Sequence, residues 1–187
     1  TYVLRWTLSN PPCADSFDDV VITFLRAPST SNAGSNQIGA STCGLTTLSL
    51  AANIPNSGVG TWSVQSGAGG TIQSTSSPNS LFTGVSGSTY LLTWTIANTC
   101  GSSQSDVLIA FNQNPDTALA GNDSTICASA IQLGANIPSF GTGFWKSITG
   151  TGIFSDTLLP NSTISNLSAG IHTLVWEITS PVCGSSY

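Results

Sequence analysis

Charge is what this chain has least of. Of 187 residues, 3 are Lys or Arg and 8 are Asp or Glu, a formal net charge of −5. Soluble domains average about 25% charged residues; this chain has 6%. So few cations cannot build the phosphate-neutralising patch that nucleic acid requires. They cannot hold the chain on an anionic lipid surface either. No apolar run approaches the ~20 residues of a membrane-spanning helix, so no direct insertion into a membrane is expected. Methionine is absent, which removes one oxidation target. Histidine occurs once, and no Ser–His–Asp or Cys–His constellation is supported.

What the chain does have is Ser, Thr, Asn and Gly for polarity, and 40% hydrophobic residues with five Trp for packing. That apolar content argues against disorder. It is also repetitive. Thr1-Tyr2-Val3-Leu4-Arg5-Trp6-Thr7-Leu8 returns as Thr89–Ile96 and again as Ile171–Ile178. Trp6, Trp94 and Trp176 lie 88 and 82 residues apart; Cys13, Cys100 and Cys183 lie 87 and 83 apart. A second set aligns Cys43 with Cys127, Asn53-Ile54-Pro55 with Asn136-Ile137-Pro138, Trp62 with Trp145, and Ala33-Gly34 with Ala120-Gly121. Fixed periodicity of this kind marks an array of one structural unit. Three stretches follow: residues 1–26, the C-terminal part of one repeat; residues 27–112, a complete repeat; and residues 113–187, a repeat lacking its last strand. The expectation is a window on a longer array.

Within a repeat, Tyr90, Leu92, Trp94 and Ile96 alternate with Leu91, Thr93 and Thr95. The same alternation places Tyr2, Leu4, Trp6 and Leu8, and His172, Leu174, Trp176 and Ile178, on inward faces. A period of two with β-branched and aromatic residues reads as a half-buried antiparallel strand. About seven such strands in roughly 85 residues, with Gly- and Ser-rich turns between them, has the rhythm of an immunoglobulin-like β-sandwich. The fold class is therefore all-β: tandem immunoglobulin-like antiparallel sandwiches. The connectors Leu25–Thr30 and Asn112–Thr117 are short and contain Pro, which favours a semi-rigid string.

Five cysteines are an odd number, and the repeat accounts for it. Cys43 with Cys100, and Cys127 with Cys183, supply two per unit, while Cys13 is the second cysteine of the first stretch. Intra-repeat bridges Cys43–Cys100 and Cys127–Cys183 are expected, each contributing ~4 kcal/mol in chain-entropy terms. The alternative is a set of small buried thiols. Bridges imply an oxidising, extracytoplasmic setting.

Chemistry beyond this is sparse. His172 stands where Tyr2 and Tyr90 stand, so it reads as a structural aromatic. The cysteines pair off, leaving no zinc ligand set. Asp18 and Asp19 would point to opposite faces of a strand, poor geometry for an acid–base pair. Only Asp19 recurs, as Asp106, and no Asp-rich loop suggests calcium. The expected cofactor list is empty, and the segment is not expected to be an enzyme. The Trp positions favour core over a glycan platform.

Ala33-Gly34, Cys43-Gly44, Gly58–Val64, Phe82–Cys100 and Phe17–Phe24 together resemble the repeats of giant cell-surface proteins of Bacteroidetes. These are immunoglobulin-like or PKD-like arrays in secreted adhesins, including gliding-motility adhesins exported by the type 9 system. The third copy departs at Trp145-Lys146-Ser147 and His172, and no type 9 sorting domain is present. The resemblance implies an extracellular, cell-surface stalk whose partners are neighbouring repeats, with a glycan or protein ligand bound elsewhere. It also implies O-glycans on Thr117, Ser124 and Thr157, each preceded by Asp and followed by an apolar residue or Thr. Two alternatives are a glycan-binding module and a spacer in a secreted enzyme.

Overall fold

A computed structural model describes residues 1–187. The chain is mostly β-strand, in five small antiparallel sheets. The first is a hairpin of β1 (Tyr2–Asn10) and β2 (Cys13–Ile22). The central unit follows with two three-stranded sheets. One is β4 (Val59–Ser66), β7 (Thr89–Asn98) and β8 (Gly101–Ala110), in the order β4-β7-β8. The other is β3 (Thr47–Ser49), β5 (Thr71–Ile72) and β6 (Leu81–Thr83), in the order β3-β6-β5.

The C-terminal unit repeats this plan. Strands β10 (Thr142–Thr149), β13 (Thr173–Ser180) and β14 (Gly184–Ser186) form one sheet. Strands β9 (Ile131–Gln132), β11 (Ile153–Phe154) and β12 (Thr163–Ser165) form the other.

The alternation read from the sequence sets the core. In β7, Tyr90, Leu92, Trp94 and Ile96 are fully buried; β8 adds Val107 and Ile109 and is followed by buried Phe111. They meet Trp62 of β4 and Phe82 of β6, so both sheets of the central unit share one core. Trp62 and Trp94 are cross-strand partners with ring centroids 5.1 Å apart. Trp145 and Trp176 repeat the pair at 5.3 Å. Aromatic pairs at such distances contribute ~0.5–1.5 kcal/mol beyond their burial. The indole N–H of Trp62 donates to the Ser77 carbonyl at 3.1 Å, and that of Trp145 to the Leu159 carbonyl at 3.1 Å.

The hairpin differs from expectation. Its inward set, Tyr2, Leu4, Trp6 and Leu8, is exposed, with Trp6 at 72%. Alternation fixes which side chains share a face; only a second sheet covers that face, and residues 1–26 contain none. The C-terminal unit is likewise more open. Where β8 pairs with all ten residues of β7, β14 pairs only with Ile178, Thr179 and Ser180. A groove of about 1070 Å³ runs beside Trp145, Ile164, His172 and Leu174.

Close packing dictates one glycine in each unit. A Cβ on Gly60 would lie 2.0 Å from Cζ2 of Trp94, and one on Gly143 would lie 2.1 Å from Cζ2 of Trp176. Gly60→Ala is therefore expected to destabilise the central unit by about 1–3 kcal/mol or more through overpacking. Denaturant unfolding followed by Trp fluorescence reads this; an unchanged midpoint would mean that the indole does not pack on Gly60.

Candidate functional site at the junction between units

Each unit has two distinct ends. In the central unit the entry end is marked by the turn between β7 and β8. There the Asn98 side-chain amide donates to the Arg26 carbonyl at 2.9 Å, tying the turn to the incoming connector. Cys100 sits in this turn and is exposed. The exit end lies at the far end of β8. There a short 3-10 turn, Gly39–Thr42, leads into Cys43. Asn112, just beyond β8, donates from Nδ2 to the Gly39 carbonyl at 2.9 Å and to Thr42 Oγ1 at 3.0 Å. The Gly44 N–H donates to the Asn112 carbonyl at 2.8 Å. Gly44 is held so close to the outgoing connector that a Cβ would meet the Asn114 amide at 2.7 Å, and its φ of +70° favours glycine.

The C-terminal unit meets this end with its own entry end. Cys183, in the turn between β13 and β14, is bonded to Cys43 with a Cα–Cα distance of 5.6 Å. Cys13, Cys100 and Cys127 are free and exposed. The pairing corrects the expected bridges Cys43–Cys100 and Cys127–Cys183. The reason is geometric. Strand β8 has ten residues, and at ~3.3 Å each it places Cys100 and Cys43 roughly 30 Å apart. A disulfide needs Cα atoms within ~7 Å. The two cysteines of a unit therefore face different neighbours.

The Asn of each Asn-Ile-Pro clamps the connector to its own unit. Asn53 Oδ1 accepts from the Asn32 N–H at 2.8 Å, and its Nδ2 donates to the Thr30 carbonyl at 2.9 Å. Asn136 does the same with the Leu119 N–H at 2.9 Å and the Thr117 carbonyl at 3.0 Å. The recurrence of Asn-Ile-Pro was visible in the sequence; the role of Asn112 was not, because its partners are about 70 residues away.

The other singled-out residues are dispersed. His172 takes the slot of Tyr90: a Cβ on Gly150 would lie 2.2 Å from its ring, as one on Gly67 would from Tyr90. Its Nε2 lies 2.9 Å from the Ser168 carbonyl. Asp19 pairs across the hairpin with Arg5 through two contacts of 2.8 and 2.9 Å, and Asp106 accepts from its cross-strand partner Thr93. The recurring Asp is thus a cross-strand partner. Thr117, Ser124 and Thr157 are all exposed. Asp116, before Thr117, accepts the backbone N–H groups of Ser139 and Phe140. Asp156, before Thr157, accepts the Leu158 N–H at 2.8 Å. No helix is long and apolar enough to cross a membrane. Comparison of the chain with protein-family models and with curated protein sequences gave no match.

The Arg5 guanidinium holds the Asp19 carboxyl below the usual carboxylate range. A folded-state pKa below the unfolded value gives stability that is present above the unfolded pKa and lost as pH falls through the folded one. The hairpin should therefore fray on acidification below the ordinary Asp range, and Asp19→Asn should remove that acid-dependent component. Strand amide shifts in NMR against pH measure it; identical acid profiles for the two chains would contradict the coupling.

Proposed function

We propose that this chain is a stalk segment of a long extracellular repeat protein, acting at the cell surface in adhesion or filament formation. On this reading the units are tandem immunoglobulin-like sandwiches, and neighbouring repeats are their principal partners. The observation that carries it is the bond between Cys43 and Cys183. It joins two consecutive units in parallel with their connector, and the connector itself is clamped at both sides by Asn112 and Asn136. A junction tied twice transmits force and resists bending, which is what a spacer of fixed length requires.

Further features fit the same role. Trp62, Trp94, Trp145 and Trp176 are buried, so their faces hold the units together and are not offered to sugars. Exposed Thr117, Ser124 and Thr157 leave room for O-glycans that shield the surface. With 3 Lys and Arg residues, few sites are open to trypsin-like proteases. By resemblance, the parent protein belongs with type 9-secreted adhesins of gliding bacteria.

Force spectroscopy tests the mechanical role. A bond closing a sequence separation of 140 residues shields them from tension applied at Thr1 and Tyr187. Reduction should then add about 500 Å of contour length, at ~3.6 Å per residue over the 140 released. Equal extension before and after reduction would overturn the reading.

A further inference from the structure

The joint between the two units has little besides the bond to hold it. Its facing ends lie wholly within the chain: residues 39–44 and Asn112 on one side, residues 137–141 and the turn at Cys183 on the other. No sheet spans them, and their cores are separate clusters. Ile38, Leu45 and Val85 at the exit end stay exposed, as do Ile137 and Val182 at the entry end, Ile137 at 83%. Hydrogen bonds beside the joint close within one unit. Asn112 and Gly44 serve the central unit. Asp116 serves the C-terminal one: its N–H donates to the Phe140 carbonyl at 3.0 Å, and its carboxylate accepts the Phe140 N–H at 3.0 Å. Without a large apolar interface, consecutive units move relative to one another by default.

We propose that the Cys43–Cys183 disulfide is a redox-operated lock on a hinge at Asn114–Pro115. The connector divides between the two units at that point. A Cβ on Gly44 would meet the Asn114 amide at 2.7 Å, and a Cβ on Gly141 would lie 3.2 Å from Cβ of Pro115. Asn114 thus rests on the central unit and Pro115 on the C-terminal one. Proline fixes its own φ and keeps the preceding residue extended, so the pivot is a short one. With the bond closed, the units are joined at two places, and the Cα atoms of Cys43 and Cys183 are held 5.6 Å apart. Swinging about the pivot is then blocked. With the bond open, the connector is the one covalent tie left. Both cysteines are half-buried, which leaves their sulfurs within reach of a small thiol. The lock stands on the bond and the joint and does not depend on the stalk reading.

Opening the lock takes a reductant, for which a small dithiol serves. One of its thiolates attacks a sulfur of the bond, forming a mixed disulfide and releasing the other cysteine as a thiolate. Its second thiolate attacks the mixed disulfide and expels the remaining cysteine. The protein gains two electrons and two protons, and the dithiol becomes a cyclic disulfide. A small-molecule disulfide restores the bond by taking back the same electrons and protons.

The test records backbone-amide residual dipolar couplings of the whole chain before and after reduction with dithiothreitol, with Cys13, Cys100 and Cys127 alkylated beforehand. In the oxidised chain, strands β4, β7 and β8 should share one alignment tensor with β10 and β13. After reduction the two units should need separate tensors, while the amide shifts within each unit are retained. Cys43→Ser should behave as the reduced chain does, and reductant should change it no further. A common tensor after reduction would overturn the proposal, because other contacts would then hold the joint. Separate tensors in the oxidised chain would overturn it as well, as would collapse of the C-terminal unit's shift dispersion on reduction. Non-reducing peptide mapping of the oxidised sample separates the causes. Separate tensors with Cys43 still linked to Cys183 sink the lock alone; absence of the linked peptide sinks the bond and the junction with it.

Discussion

The length of the long hairpin constrains everything else in each unit. Strands β7 and β8 run ten residues each, roughly 30 Å at the strand rise. They supply half of the central core cluster, and they also hold the two cysteines of a unit at opposite ends. Covalent linkage is thereby directed outward, from one unit to the next. A shorter hairpin would allow an internal bridge and leave the junction to a single connector.

Core and junction use separate chemistry. The core is aromatic and close-packed: two cross-strand Trp pairs, each seated over a glycine that admits no Cβ. The junction is polar and built from asparagine. An amide offers both a donor and an acceptor, so Asn53 and Asn136 each satisfy two backbone groups of a connector that lies outside any sheet. That economy suits a sequence with 6% charge, where ion pairs are few; Arg5–Asp19 and Lys146–Glu177 are the two present.

Much of this was legible in the sequence, for a physical reason. Alternation with period two reports which residues share a face, and it placed Tyr90, Leu92, Trp94 and Ile96 correctly. It does not report whether anything covers that face, which is why Trp6 lies in solvent. Repetition of Trp and Asn-Ile-Pro showed that units recur. The cysteine pairing was not legible, because composition and spacing count partners within a unit and carry no sense of which end each occupies. The ten-residue strand length and the position of Cys100 at its end exclude the internal bridge only once Cys43 is placed at the other end. The position of Cys43 beside Asn112 needed the three-dimensional arrangement.

The central claim is that consecutive units are covalently joined at their facing ends. Disulfide mapping of the unreduced chain by peptide mass spectrometry tests it most directly. The account predicts one linked pair, Cys43 with Cys183, and alkylated Cys13, Cys100 and Cys127. Recovery of Cys43 linked to Cys100, or of Cys127 linked to Cys183, would contradict it.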